Sequence, residues 1–128
     1  MKIFSNFEKG WLSATVDGEG SISYHRRHDR YMVTIYNINL ELLEKFRDMI
    51  AIPGTPPRKI YAPKRTKAGL GNHTVYEISV CNRAEILSIL TQIQDFLIVK
   101  RVVAIKAIEL MSKKKGYKLK GLAGPKTV

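Results

Sequence analysis

Two carboxylates separated by one glycine, in Asp17-Gly18-Glu19-Gly20, form the densest chemical feature of the sequence. Such a segment can ligate a hard divalent cation, or be no more than the solvated acids of a tight turn. An EF-hand calcium loop is excluded. Counted from Asp17, it needs glycine at the sixth position and an acid at the twelfth, where the chain has Ile22 and His28. A structural zinc site is excluded as well, because three scattered histidines and the single cysteine, Cys81, cannot supply its four ligands. On these residues alone, a glycine-rich turn and a divalent-metal site both stand.

The elements around the segment narrow the choice. Ser5 followed by Glu8 fits a capping box, so a first helix is expected from near Asn6 through Trp11, Leu12 and Val16 to the glycines at 18 and 20. At about 100° per residue, Trp11, Leu12, Thr15 and Val16 fall on one arc and Gly10, Ser13, Ala14 and Asp17 on the other. A solvated helix face normally carries Lys and Glu. This one is nearly bare, which predicts close approach of another helix. Beyond Gly20 the period changes to two, giving a hairpin of Ile22 and Tyr24 against Tyr31, Val33 and Ile35. A second helix should follow from Leu40 to near Ile52, where Pro53, Gly54, Pro56 and Pro57 stop it. A second strand pair is expected at 59–62 and 74–80, joined by a basic loop with Lys64, Arg65 and Lys67. Two more helices follow, one behind an Asn82 cap and one around Val102 to Leu110.

The order αββαββαα predicts an α+β domain over residues 1–112, a four-stranded antiparallel sheet with helices on one face, and a loose basic tail over 113–128. With 128 residues there is room for one domain only. No apolar run approaches the ~18 residues of a membrane span, and no signal-peptide core is present, so no membrane partner is expected and an intracellular location is. Twenty-two Lys and Arg against eleven Asp and Glu leave a net charge of +11 and make polyanions the leading partner class. Turning the strand apolars toward the helices sends Ser23, His25, Arg27, Arg30, Met32, Thr34, Lys59, Tyr61, Glu77 and Ser79 outward. A concave face of that composition suits double-stranded DNA, with its basic groups on phosphates and its mixed donors and acceptors on base edges.

The segment from Trp11 to Ile22 resembles the signature of LAGLIDADG homing endonucleases, with Leu12 to Gly20 matching its nine positions. Ser13, Ala14, Thr15 and Gly18 are variant letters, whereas both acids and the final glycine fall where the family has them. The order of elements also matches over roughly residues 5 to 111. The resemblance implies a site-specific endonuclease that hydrolyses both strands of DNA with a divalent ion, Mg²⁺ in the first instance, and leaves short 3′ overhangs. Because the chain has one motif, it implies a homodimer joined through Gly10, Ser13, Ala14 and Asp17, acting on a long pseudo-palindromic site.

In that scheme Glu19 is the metal ligand from each subunit, joined by the Gly18 carbonyl, while Asp17 supports its own helix end or the partner helix. The family has a lysine at the start of its last core helix, which Asp95-Phe96-Leu97-Ile98-Val99-Lys100 matches, so Lys100 would polarise water or stabilise developing charge. It is equally a surface lysine at a helix start. Asn37 stands where many members have Gln at the end of the second strand, and would order water in the cleft; as a residue type it also suits a turn. The family further implies an intron-encoded origin. Its RNA maturases, which bind intron RNA, and its non-cleaving DNA-binding regulators are the alternative. A ribosome-associated basic RNA-binding protein, its aromatics stacking on unpaired bases, is a third reading, one with no use for a bare helix flank or for Glu19.

Overall fold

The computed structural model describes residues 2–62 and 74–113. Helix α1 spans Asn6–Glu19 and begins at the expected capping box, with the Ser5 hydroxyl accepting from the Glu8 amide and the Glu8 carboxylate accepting from the Ser5 amide. Strands β1 (Gly20–His25) and β2 (Arg30–Asn37) form the expected antiparallel hairpin. A short 3-10 turn, Arg26–His28, joins them, and Asp29 at its end takes a left-handed φ of +50°. Aspartate tolerates that conformation, and its carboxylate is held by the Tyr24 hydroxyl at 2.6 Å.

Helix α2 covers Leu40–Ile50, two residues short of the expected end, because Ala51 leaves helical geometry ahead of Ile52 and Pro53. Strand β3 (Tyr76–Val80) pairs antiparallel with β2, and α3 (Arg83–Ile93) starts behind Asn82, whose side chain accepts from the Glu85 amide. Helix α4 covers Arg101–Ser112. Among the described residues, no helix is long and apolar enough to cross a membrane.

The expected four-stranded sheet is corrected to three strands among the described residues, in the order β1-β2-β3, with the element order αββαβαα. The segment read as a strand at 59–62 contributes a single bridge. Tyr61 exchanges both backbone hydrogen bonds with Glu77, at 2.8 and 2.9 Å, and no ladder extends from it. Five residues between Pro57 and Pro63 are few for a ladder, since proline lacks the donor that pairing needs. The expected basic loop and the tail beyond Lys113 lie outside the described residues.

Alternation placed the core correctly. Tyr31, Val33, Ile35, Ile78 and Val80 are buried, and Ile22, Tyr24, Ile60 and Tyr76 lie against them. They meet Leu12 and Val16 of α1, Leu43 and Phe46 of α2, and Ile86 and Leu90 of α3 on one side of the sheet. Helix α4 packs on α3 rather than on the sheet. Gly20 marks the joint between α1 and β1. A Cβ there would stand 2.8 Å from the Ile35 Cδ1 and 3.1 Å from both the Thr34 and Val16 carbonyl oxygens, so any larger residue at the final glycine of the motif must displace the Ile35 tip and press on two backbone oxygens.

Candidate active site

At the carboxyl end of α1 the two motif acids diverge. Asp17 turns to its own chain, where its carboxylate accepts from the Ile98 amide at 2.7 Å and the Lys100 amide at 2.9 Å. The Lys100 ammonium closes the joint by donating to the Asp17 carbonyl at 2.8 Å. Desolvation pushes the Asp17 pKa up, but the amides of Ile98, Lys100 and Val99, with the Lys100 charge, outweigh it and hold the group below its ordinary 3.8. The support expected for its own helix end goes instead to the segment just ahead of α4 in the same chain, where Asp17 binds the amides of Ile98 and of Lys100, the residue before Arg101.

Glu19 is exposed, and its Oε1 accepts from the Asn37 side chain at 2.9 Å. The Asn37 carbonyl oxygen in turn accepts from the Asn39 amide at 2.7 Å, where α2 begins. Asn37 is therefore both the turn residue and a partner of Glu19. One carboxylate oxygen of Glu19 stays uncommitted among the described residues. The fold thus draws Glu19, Asn37 and Lys100 to one end of the sheet, although no hydrogen bond joins Lys100 to Glu19.

The donor set fits a hard divalent ion only in part. A carboxylate and the exposed Gly18 carbonyl are suitable oxygen ligands, but among the described residues no group of three His, Cys, Asp or Glu could hold a metal ion.

On the flank of α1, a Cβ built at Gly10 or Gly18 meets nothing within 4 Å, and Ala14 is exposed. The small residues there are not demanded by the chain's own packing. Ser13, assigned to the same flank, is corrected. It is buried within its own chain, with its hydroxyl donating to the Gly10 carbonyl at 3.0 Å. At 100° per residue it sits about 100° around the helix from Ala14, toward the core. Beside this flank, and tied to it through Asp17, are Ile98, Val99 and Val102, which are 83%, 73% and 78% exposed. Those apolar side chains were not anticipated, although three aliphatic residues around a helix start were legible as a signal.

The outer sheet face carries His25 and Arg30 exposed near the hairpin tip, with Ser23 and Met32 half-buried behind them; Arg27, expected on that face, is corrected to the 3-10 turn that joins the strands, where it is exposed. His25 and Ser23 are joined at 3.3 Å. Thr34, expected as an outward contact, lies on this face but is buried at 3% exposure. It is in the central strand between Ser21 and Ser79, and its hydroxyl is paired with that of Ser79 at 3.0 Å. Nearest the Glu19 end, Tyr36, Glu77 and Tyr61 stand in one row across the strands, with the Lys59 ammonium 5.6 Å from the Tyr61 ring centre. Tyr36 was missed, although continuing the same alternation one step past Thr34 points to it.

No family model matches the sequence, and no curated protein does. Solved structures do match. One is the homing endonuclease I-CvuI in complex with the I-CreI target in the presence of Mg, with its DNA not cleaved; it is 16% identical with a TM-score of 0.60, over 84% of this chain and 67% of that one. The same enzyme with its own target in the presence of Ca gives 15% and 0.59, with the same coverage. The archaeal intron-encoded homing endonuclease I-Vdi141I complexed with DNA is 24% identical with a TM-score of 0.59, over 83% of this chain and 67% of that one. The chain has the homing-endonuclease fold.

Proposed function

We propose that this protein is a homodimeric, site-specific DNA endonuclease that uses a divalent ion, Mg²⁺ by preference, to cut both strands of a pseudo-palindromic duplex. The observation that carries the proposal is the meeting of Glu19 and Asn37, 18 positions apart, at the end of a helix whose preceding acid, Asp17, binds the Lys100 segment. A bare, solvent-open helix flank beside exposed Ile98, Val99 and Val102 is the surface a second copy would cover. Two-fold pairing along that flank brings two Glu19 carboxylates together and makes each half-site whole.

In this reading Glu19 and the Gly18 carbonyl supply protein ligands, and DNA phosphate and water the remainder. The ion, when bound, supplies charge neutralisation at the phosphoryl oxygens and a more acidic water. Asn37 fixes the orientation of the Glu19 carboxylate by its hydrogen bond, which leaves one oxygen free to ligate. Asp17 holds the start of α4 so that the Lys100 ammonium stays at the cleft, where a cation stabilises negative charge developing during strand scission. The basic sheet face grips the duplex on either side.

The test is a cleavage selection with purified protein, Mg²⁺ and a randomised duplex library. The wild type should yield one family of cut sites with two-fold symmetry. Glu19→Gln should lower cutting by at least about a thousandfold while changing DNA affinity only a few-fold, as removal of a transition-state group does. Retained cutting would remove Glu19 from the mechanism. Tight binding to intron RNA with no DNA cut would favour a maturase instead.

A further inference from the structure

Glu77 is the one acid among the described outward-facing strand residues, and its surroundings are built rather than accidental. Tyr36 is its register partner on β2, and Tyr61 is bonded to it across the other edge. Its neighbours Tyr76 and Ile78 face the core, so the carboxylate emerges on the outer face. Paired residues keep their Cβ atoms about 5 Å apart, so two phenol side chains, 45% and 53% exposed, flank the carboxylate. Among the described residues, no hydrogen bond or ion pair uses that carboxylate. Its acceptor capacity is unspent.

A carboxylate on a surface that meets DNA is repelled by every phosphate. What the major groove offers it is an exocyclic amine. Guanine presents only acceptors, thymine an acceptor and a methyl group, and adenine sets an N7 acceptor beside its amine, which opposes a second acceptor. Cytosine presents its N4 amine without that opposition. We infer that Glu77, held between Tyr36 and Tyr61, reads a cytosine in each half-site through the N4 amine. The inference rests on the endonuclease proposal in laying this sheet face on duplex DNA, in repeating the contact once per half-site, and in placing the cut near Glu19. Geometry also orders the contacts. The Tyr36 row adjoins Asn37, the partner of Glu19, whereas Arg30 lies six residues away along β2, about 20 Å or up to about six base pairs farther from the cut.

The test sequences both the bound and the cut duplexes recovered from a randomised library with the full chain as wild type, Glu77→Ala, Glu77→Gln and Arg30→Ala. The wild type should prefer cytosine on the order of tenfold at one position per half-site. Glu77→Ala should flatten that position alone, and Glu77→Gln should move it toward adenine, which an amide matches bidentately. Arg30→Ala should disturb a position farther from the centre. A profile unchanged in both Glu77 variants, or a Glu77-sensitive position that holds another base, overturns the inference. Selective binding with a Glu77-dependent cytosine but no cutting would sink the endonuclease proposal and leave this one standing. Cutting with a Glu77-independent profile does the reverse, and binding with no sequence preference overturns this inference whether or not the DNA is cut.

Discussion

Asp17 and Glu19 show how two identical functional groups, two positions apart, are given different work by their surroundings. Asp17 accepts two amides and sits against the Lys100 ammonium, whereas Glu19 is exposed with a single side-chain donor. Because desolvation is outweighed by these hydrogen bonds, the folded-state pKa of Asp17 lies below the value of about 3.9 it takes when unfolded. A depressed carboxylate contributes stability that is complete above the unfolded value and disappears as pH falls through the folded one. Asp17→Asn should therefore cost about 1–2 kcal/mol at neutral pH, with the gap to wild type closing below about pH 4. Thermal melts of both proteins between about pH 6 and pH 2.5 check this; a constant gap would mean that the joint does not depend on the ionised carboxylate. The same variant, with Lys100 no longer anchored, should lose cutting more than DNA affinity. The role of Asp17 was only half legible in the sequence, since its partners lie more than 80 positions away and nothing local names them.

At the scale of elements, legibility followed the range of the forces involved. The capping box at Ser5 and Glu8, the Asn82 cap and the period-two hairpin are local, and α1, α3, β1 and β2 lie where those signals put them. The segment at 59–62 failed because alternation alone does not build a ladder, and only Tyr61 finds paired backbone across from Glu77. Ser13 failed because arcs drawn on an isolated helix cannot say how far the rest of the chain wraps around it. The α1–β1 joint was legible as a motif glycine but not as a steric need. With 2.8–3.1 Å between an added Cβ and its nearest neighbours, two of which are backbone oxygens, the joint accepts a side chain only if its neighbours move. Gly20→Ala should thus destabilise the fold by about 1–3 kcal/mol, measured as a lowered urea midpoint with unchanged slope. It should also impair cutting by displacing Glu19. An alanine variant as stable and active as wild type would show that the strand end shifts freely and that this glycine does not fix the acid.

For the whole molecule, the charge of +11 and the unclaimed flank of α1 combine into one measurement. Phosphate contacts release counterions, so the logarithm of affinity falls with the logarithm of salt at a slope of about −0.9 per phosphate neutralised. Two subunits bound symmetrically make each contact twice. Ala14 is exposed at the centre of the bare flank, so a larger side chain there fits the separate subunit without strain but obstructs a helix lying against it. Ala14→Leu should therefore keep the melting temperature of the separate subunit while sedimentation shows dissociation. Its salt slope on a full-length site should drop to about half that of the wild type, the value also expected of the wild type on an isolated half-site. Cutting of both strands should be lost with it, because the cleft then holds one Glu19 and not two. An unchanged mass together with an unchanged slope would mean that α1 is not where the copies meet, and the pairing of the two carboxylates would fall with it.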